Sequence, residues 1–515
     1  MRLNRRPDGS SDRSTVPDDS VASLRQSVTR GLGWSLINSV VGRAGQLVVG
    51  IVLARLLSPK DFGIYAVALV AYTVVISCSE LGVSVALIRR PDDGPRLGPT
   101  VTTLTWISSS VLVLGLWFAS PTVAAQLNAP QATGVLRVLS LAILVAGISA
   151  VPGALVQRDF QQGARFGADM VNLVVSTLVV VFGALDGHGA YALAWSRVAG
   201  NAASAVILYA VANERYRPGF DRVIARELLI FGVPLAGASV LAFAVMNVDN
   251  VVISKIWGPT VLGYYVLAFN LSGWPVSAFS MMARSVSLPA FARLRDQPLG
   301  AGEAFVAATR WLLAASVLVS VMLAVLARPA IQIVYGARWG PAAVPLMFLA
   351  ALGTFRVLHE LAYDYLVALG STRTVLIVQV GWLAGLVVLL PIGARAEGLA
   401  GVGMAHLVVA GGVVLPMYAV ALRRNGVSLA AVARTSAWPL IAGGGALLTT
   451  YTLAQQVESD LTKMLLGGGV GSLVYLLLVL PALPERVQAW APHLRIVRQR
   501  RRPPAPTRVE SGVDS

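Results

Sequence analysis

Apolar stretches of helical length succeed one another along nearly the whole chain, parted by short polar breaks. A membrane-spanning helix needs about 20 mostly apolar residues, and about fourteen stretches qualify. They lie near 31–56, 62–88, 100–125, 135–157, 166–186, 190–212, 226–257, 262–290, 304–328, 344–370, 374–393, 398–422, 436–455 and 464–484. The first thirty positions are polar, with Pro, Ser and both charge signs, which predicts a disordered tail. The pattern as a whole predicts an all-α polytopic membrane protein.

The pattern also repeats. Residues 53–68 read LARLLSPKDFGIYAVA and residues 253–268 read ISKIWGPTVLGYYVLA. Arg55 aligns with Lys255, Pro59 with Pro259, Gly63 with Gly263, Tyr65 with Tyr265 and Ala68 with Ala268. Six predicted spans separate the copies. An even number returns the chain to the same side, so the copies imply parallel repeats about an axis along the membrane normal. The expected organisation is a tail at 1–30, a six-helix lobe at 31–212, a cytoplasmic linker at 213–225 and a second six-helix lobe at 226–422. Two accessory helices at 436–484 and a basic cytoplasmic tail at 485–515 complete it.

Composition sharpens the class. Of 515 residues, 56% are hydrophobic and 13% charged, with mean hydropathy +0.70, where soluble domains carry about 25% charged residues. The net charge of +16 follows from topology rather than from nucleic-acid binding. Arg89, Arg90, Arg158, Arg165, Arg215, Arg217, Arg423 and Arg424 fall in loops on one side, while the opposite loops hold only Lys60, Arg338, Arg395 and Lys463. That asymmetry predicts that both termini are cytoplasmic. The single cysteine, Cys78, excludes an intrachain disulfide and any multi-cysteine metal site. The first apolar run is too long for a signal segment. No external loop is large enough for a catalytic domain, and no GxxxxGK[ST] run provides for ATP.

Ionisable groups within spans cost roughly 2.5–3.5 kcal/mol each at a helix centre, so each asks for a partner or for water. The deepest are Arg43, Glu80, Asp169, Arg197, Asp249, Arg284, Arg356, Glu360 and Asp364. Arg43 and Glu80 fall at similar depth, as a buried ion pair or as a cation facing a cavity with its charge balanced. Arg356, Glu360 and Asp364 recur at every fourth position on one stripe of the tenth span. That stripe is either an internal Arg356–Glu360 pair or the wall of a polar cavity. Asp249 has no acidic counterpart at Val49 and is a candidate ion or proton site. His359 alone is weak evidence for chemistry. Neither His188 nor His406 has metal-ligand spacing, and no cofactor or metal is assigned. Trp34, Trp106, Trp257, Trp339 and Trp438 sit near predicted span ends, where interfacial aromatic anchors belong.

Several runs resemble the Wzx-like lipid-linked oligosaccharide flippases, the polysaccharide transporters of a superfamily that also holds drug/ion antiporters and a peptidoglycan-precursor flippase. LARLLSPKDFGIYAVA with ELGVSVALIRR (80–90) resembles their opening hairpin. QRDFQQGARF (157–166), VYGARWGPAAVPLMFLA (334–350) and NVDNVVISKIWGPTVLGYYVLA (247–268) are similar to later segments. The resemblance covers about residues 28–425. It implies a two-lobed, V-shaped, MATE-like fold with a cationic central cavity, alternating access, and a polyprenyl-diphosphate-linked oligosaccharide as cargo. Partners would be that cargo, membrane lipids, and the polysaccharide polymerase and glycosyltransferases of the same pathway, with no nucleic acid. The family has no invariant catalytic motif. The residues themselves therefore nominate Arg43, Arg197, Arg284 and Arg356 for the diphosphate, because a guanidinium is a permanent, planar donor fork. Glu80, Asp249, Glu360 and Asp364 are nominated for coupling or counter-charge. The alternatives are a multidrug/ion antiporter, expected to have acidic and aromatic cavity walls, and a membrane glycosyltransferase.

Overall fold

The computed structural model describes residues 45, 48–79, 87–88, 93–293 and 298–479. Arg43, Glu80, Arg89, Arg90 and both tails lie outside them. Among the described residues the regular structure is entirely helical. The helices are α1 (48–56), α2 (Pro59–Ser79), α3 (Gly94–Gln126), α4 (Ala132–Arg158), α5 (Gln162–Leu185), α6 (Ala190–Val211) and α7 (Arg222–Arg293). They continue with α8 (Pro298–Val325), α9 (Ala327–Val334), α10 (Ala343–Ala368), α11 (Thr372–Val409), α12 (Leu415–Arg424), α13 (Leu429–Gln455) and α14 (Gly468–Val479). Nine stretches among the described residues are long and apolar enough to cross a membrane. Two of them, Met246–Ser277 and Thr372–Arg424, each cover a pair of predicted spans joined without a loop.

Those joins have a local cause. α7 breaks at Gly258, with φ 75° and ψ −174°, and α11 breaks at Gly398, with φ 62°. Glycine enters this region without the Cβ penalty that other residues meet. Pro259 then restarts the helix, since its fixed φ suits a first helical position. In the first copy the corresponding turn is built differently. Ser58 caps α2: Asp61 N donates to Ser58 Oγ at 3.2 Å, and Ser58 N donates to Asp61 Oδ2 at 3.1 Å. This reciprocal box satisfies two donors that a helix start leaves open.

The chain divides into two compact units, Met1–Val266 and Leu267–Ser515. In the first unit the two copies of the repeated phrase meet. A Cβ on Gly63 would overlap the carbonyl of Pro259, and a Cβ on Gly263 would overlap the carbonyl of Pro59. The contact is reciprocal, each copy's glycine receiving the other copy's proline backbone. Only a residue without a side chain permits so close an approach. Loops close the same end: Ser254 Oγ donates to Leu127 O at 2.5 Å, and Gly189 lies against Asp61.

At another edge of this unit the segment 213–221 is strapped down. Arg158 Nη2 donates to Glu214 Oε1 at 3.0 Å and Arg158 Nε to Asp159 Oδ1 at 2.8 Å. The Tyr216 hydroxyl donates to Glu214, and the Tyr216 ring covers Gly98. Thr103 Oγ1 donates to Gly219 O at 2.8 Å, and Gly219 N to Pro99 O at 3.2 Å. The Arg158 hydrogen bond and then that of Tyr216 hold the Glu214 carboxyl below its ordinary range. Burial, and then the hydrogen bond to Glu214, push the Tyr216 hydroxyl up to about 12. Asp221 closes the strap as the cap of α7, accepting from Val223 N at 2.8 Å. Beneath it Leu87, Leu97, Val101, Val151, Leu155, Ile224 and Leu228 form one apolar core.

In the second unit α13 and α14 pack on α8. Leu313, Val317, Ala442, Ala446, Tyr475 and Val479 form the core there, and the Tyr475 hydroxyl donates to Ala314 O at 2.8 Å. Trp339, expected as an interfacial anchor, is fully buried. It sits in the 3₁₀ turn Ala337–Ala342, which with α9 folds the predicted loop back onto the bundle. Trp106 and Trp438 do keep exposed surface.

Candidate functional site

The nominated residues fall into local groups. In the first unit Arg197 projects from α6 and keeps exposed surface. Its guanidinium lies over the Tyr72 ring, 5.6 Å from the centroid, a cation–π distance. Tyr65 lies within electrostatic reach of the same cation. Tyr65 and Tyr72 stand seven residues apart on α2 and so share a face. Neither tyrosine was nominated for the site from sequence, where Tyr65 stood only as a repeat position, although that two-turn spacing was legible.

Asp249 is 3% exposed. The Tyr265 hydroxyl donates to its Oδ2 at 2.6 Å, and Asn250 N donates to its Oδ1 at 2.8 Å. Asn250 in turn donates to Asn247 Oδ1 at 3.2 Å. The acid is thus held by a polar cluster of its own helix and by the tyrosine of the repeated phrase.

In the second unit α10 presents the densest group. Arg356, at mid-helix and half-buried, lies over the Phe269 ring, 5.5 Å from its centroid. Glu360, one turn on, has a buried Oε2 without a hydrogen-bond partner among the described residues. Asp364 is 5% exposed and within electrostatic reach of Tyr418. Arg284 belongs to α7, but its side chain lies outside the described residues, as do Arg43 and Glu80. Asp169 is half-buried on α5. Among the described residues no group of three or more His, Cys, Asp or Glu could hold a metal ion.

His359 forms a further centre on α10. Its ring is 5.5 Å from Trp382 in an edge-on contact and 5.5 Å from Tyr418, with Phe355 at 6.3 Å. The π-turn Ala410–Val414 is part of the same wall. Such widened turns gather at functional positions.

Known proteins match this chain in sequence and in fold. The polysaccharide biosynthesis protein family matches residues 52–344, more than half of the chain. The succinoglycan biosynthesis transport protein ExoT of Rhizobium meliloti is 29% identical over 64% of this chain and 66% of its own length. The lipopolysaccharide biosynthesis protein WzxC of Escherichia coli is 28% identical over 53% and 56%. The chain thus spans slightly less than two thirds of the first relative and just over half of the second. Teichuronic acid biosynthesis protein TuaB of Bacillus subtilis is 23% identical over 68% of this chain and 72% of its own length. In fold, the chain is similar to lipid II flippase MurJ in an inward closed conformation, with TM-score 0.70, 15% identity, and coverage of 87% of this chain and 98% of that one. An inward-facing MATE family multidrug resistance transporter gives TM-score 0.61 at 15% identity, over 74% of this chain and 96% of its own.

Proposed function

The chain belongs to the polysaccharide biosynthesis protein family, and from that premise we propose that it is a flippase. Its cargo is a polyprenyl-diphosphate-linked oligosaccharide, carried across the bacterial cytoplasmic membrane for cell-surface polysaccharide biosynthesis. The observation that carries this reading is the pair of guanidiniums laid over aromatic rings within apolar helices, Arg197 on Tyr72 and Arg356 on Phe269. The cargo joins a lipid tail to an anionic diphosphate and polar sugars. Its headgroup pays heavily to enter hydrocarbon without partners. An arginine offers phosphate oxygens two parallel donors, and the ring beneath helps to hold the cation in place.

Arg43, Arg197, Arg284 and Arg356 are the proposed phosphate-facing cations, and Glu80, Asp249, Glu360 and Asp364 the coupling or counter-charge groups. Two six-helix lobes, 31–212 and 226–422, would alternate access, with both termini cytoplasmic and the polymerase and glycosyltransferases of the pathway as partners. Single-cysteine labelling in a Cys78→Ala background tests the orientation: positions near Lys60 and Arg338 react from outside, and positions near Arg423 only from inside. Export tests the cargo. Arg197→Ala or Arg356→Ala lowers polymer export by about tenfold or more, the scale of one lost charge-assisted contact or greater. Protein level is unchanged, and Arg→Lys restores part of the export because charge returns without the fork. Normal export by both alanine variants ends the assignment.

A further inference from the structure

His359 is 3% exposed, and neither ring nitrogen has a hydrogen-bond partner among the described residues. The carbonyl of Ala410 is the backbone acceptor that bears on the ring. A neutral imidazole carries one donor and one acceptor, so two polar atoms are left unsatisfied at once. Each such loss is costly, and an orphaned buried group in a folded protein asks for an explanation. The surroundings add two more: Trp382 Nε1 and Glu360 Oε2 are also buried without partners. Of the side-chain atoms so orphaned among the described residues, four of six belong to these three residues. All three lie in the second unit, on two adjoining helices.

The cage is built from three directions. α11 sets Trp382 edge-on to the imidazole, at 76°. α12 lays Tyr418 at 34° to it. The π-turn Ala410–Val414 joins those two helices and carries the nearby carbonyl. In a π-turn the backbone bonds run to the fifth residue rather than the fourth, so the turn can return to α-helical pairing and redirect a carbonyl. The facing ionisable groups are few. α10 itself brings Arg356, Glu360, Tyr363 and Asp364. α12 brings Tyr418, and α11 brings none nearer in sequence to Trp382 than Arg373 and Arg395. From α8, the bond between Thr354 Oγ1 and Ser320 Oγ at 3.0 Å sets an antiparallel register. That register puts Arg310 level with Asp364 and Glu303 beyond it.

We propose that the His359 cage is a proton-loading site, and that its occupancy couples translocation to a proton gradient. This rests on the flippase reading and names the coupling group of it. In the unloaded state the imidazole carries no charge, and its nitrogens are poorly served. Loaded, both nitrogens are donors, and the carbonyl of Ala410 becomes an acceptor that a small change in the π-turn would bring into line. Glu360 lies on the adjoining face of α10 rather than against the ring, because successive residues on a helix diverge. It is the nearby carboxylate through which the added charge is balanced and the proton delivered or withdrawn. The sequence offered only carboxylates for this task; the packing points to the histidine.

The test uses the full-length protein in liposomes with a fluorophore-labelled polyprenyl-diphosphate–N-acetylglucosamine as probe. Transfer of the probe between leaflets is timed with and without an imposed gradient of about two pH units, a hundredfold ratio of proton activity. The readout is the ratio of the two rates. The wild type is expected to show a rise of about tenfold, and His359→Gln and Glu360→Gln a ratio near one. Both variants are first checked by size exclusion and melting temperature, and if His359→Gln does not fold, Glu360→Gln decides. A wild-type ratio of one, or a folded variant that keeps the wild-type ratio, overturns the proton site and leaves the flippase reading standing, because the probe still moves. A wild type that moves no probe under any gradient overturns the flippase reading and the coupling with it.

Discussion

Tyr65 and Tyr265 hold the same place in two copies of one phrase, and they face opposite charges. Tyr65 stands near the Arg197 cation. Tyr265 donates to the Asp249 carboxylate at 2.6 Å. The backbone around them has not diverged in this way: Pro59 and Gly63 meet Gly263 and Pro259 in a reciprocal contact. The steric frame of the repeat is kept in both copies while the polar partner is exchanged. A phenol suits either neighbour, because its hydroxyl both accepts and donates. The turn chemistry differs too. The first copy starts its helix with a Ser58–Asp61 box, the second with a positive-φ glycine. Symmetry at the level of packing therefore carries asymmetry at the level of charge.

The hardest blow to this pairing falls on the glycines. Gly63→Ala or Gly263→Ala sets a methyl against a proline carbonyl, and no rotamer can move it aside. Each should cost about 3 kcal/mol or more, read as a lower melting temperature in detergent. The double variant should cost less than the sum, since the sites share partners. Gly115→Ala on α3 has no neighbour within 4 Å of the added atom and should be neutral or gain up to about 1 kcal/mol. Equal melting of Gly63→Ala and Gly115→Ala would refute the reciprocal contact.

The two tyrosines come next. Tyr265 is fully buried, so Tyr265→Phe removes a donor from a buried carboxylate and should cost about 1–3 kcal/mol. Asp249→Asn in the same background should recover part of that, because the charge needing the donor is gone. On the other copy the aromatic face under Arg197 is the expected lever. Tyr72→Leu should weaken the site by about 0.5–1 kcal/mol, while Tyr72→Phe keeps the ring and should lose less. Export assays with matched protein levels separate these cases. A larger export defect in Tyr72→Phe than in Tyr72→Leu would show that the hydroxyl, not the ring, serves Arg197.

Most of the fold could be read from the chain because span length is set by the bilayer. The runs 135–157 and 344–370 became Ala132–Arg158 and Ala343–Ala368 with little change. The Gly258-Pro259 break was legible as a turn and proved to be a kink within one continuous helical stretch. What could not be read was side-chain company. His359 looked like a lone histidine because Trp382 and Tyr418, 23 and 59 positions away in sequence, reach it only through packing. Arg356 lies over Phe269, 87 positions earlier in sequence, a contact that no helical spacing announces. Trp339 lies at a span end by sequence and inside the bundle in fact, because α9 and its 3₁₀ turn fold the loop inward.

The smallest effect concerns the strap that leads from the first copy toward the second. Glu214 accepts from Arg158 and Tyr216, and these hydrogen bonds hold its carboxyl below the ordinary range. A carboxylate with a depressed folded-state pKa contributes stability above its unfolded pKa, near 4.3, and loses it as pH falls through the folded value. The strap should thus weaken only in acid, below the usual carboxylate range, and hold at neutral pH. Its side chain is 40% exposed, so solvent screens the pair and the change should be small. Glu214→Gln should remove the acid-dependent part while leaving Tyr216 packed over Gly98. Proteolysis at 213–221 across pH 3–7 would read this directly: wild type opening in acid, the variant already partly open and indifferent to pH. If the wild type instead opened as pH rose, the strap would depend on some group other than this carboxylate. The two copies would then be joined by a contact of opposite sign.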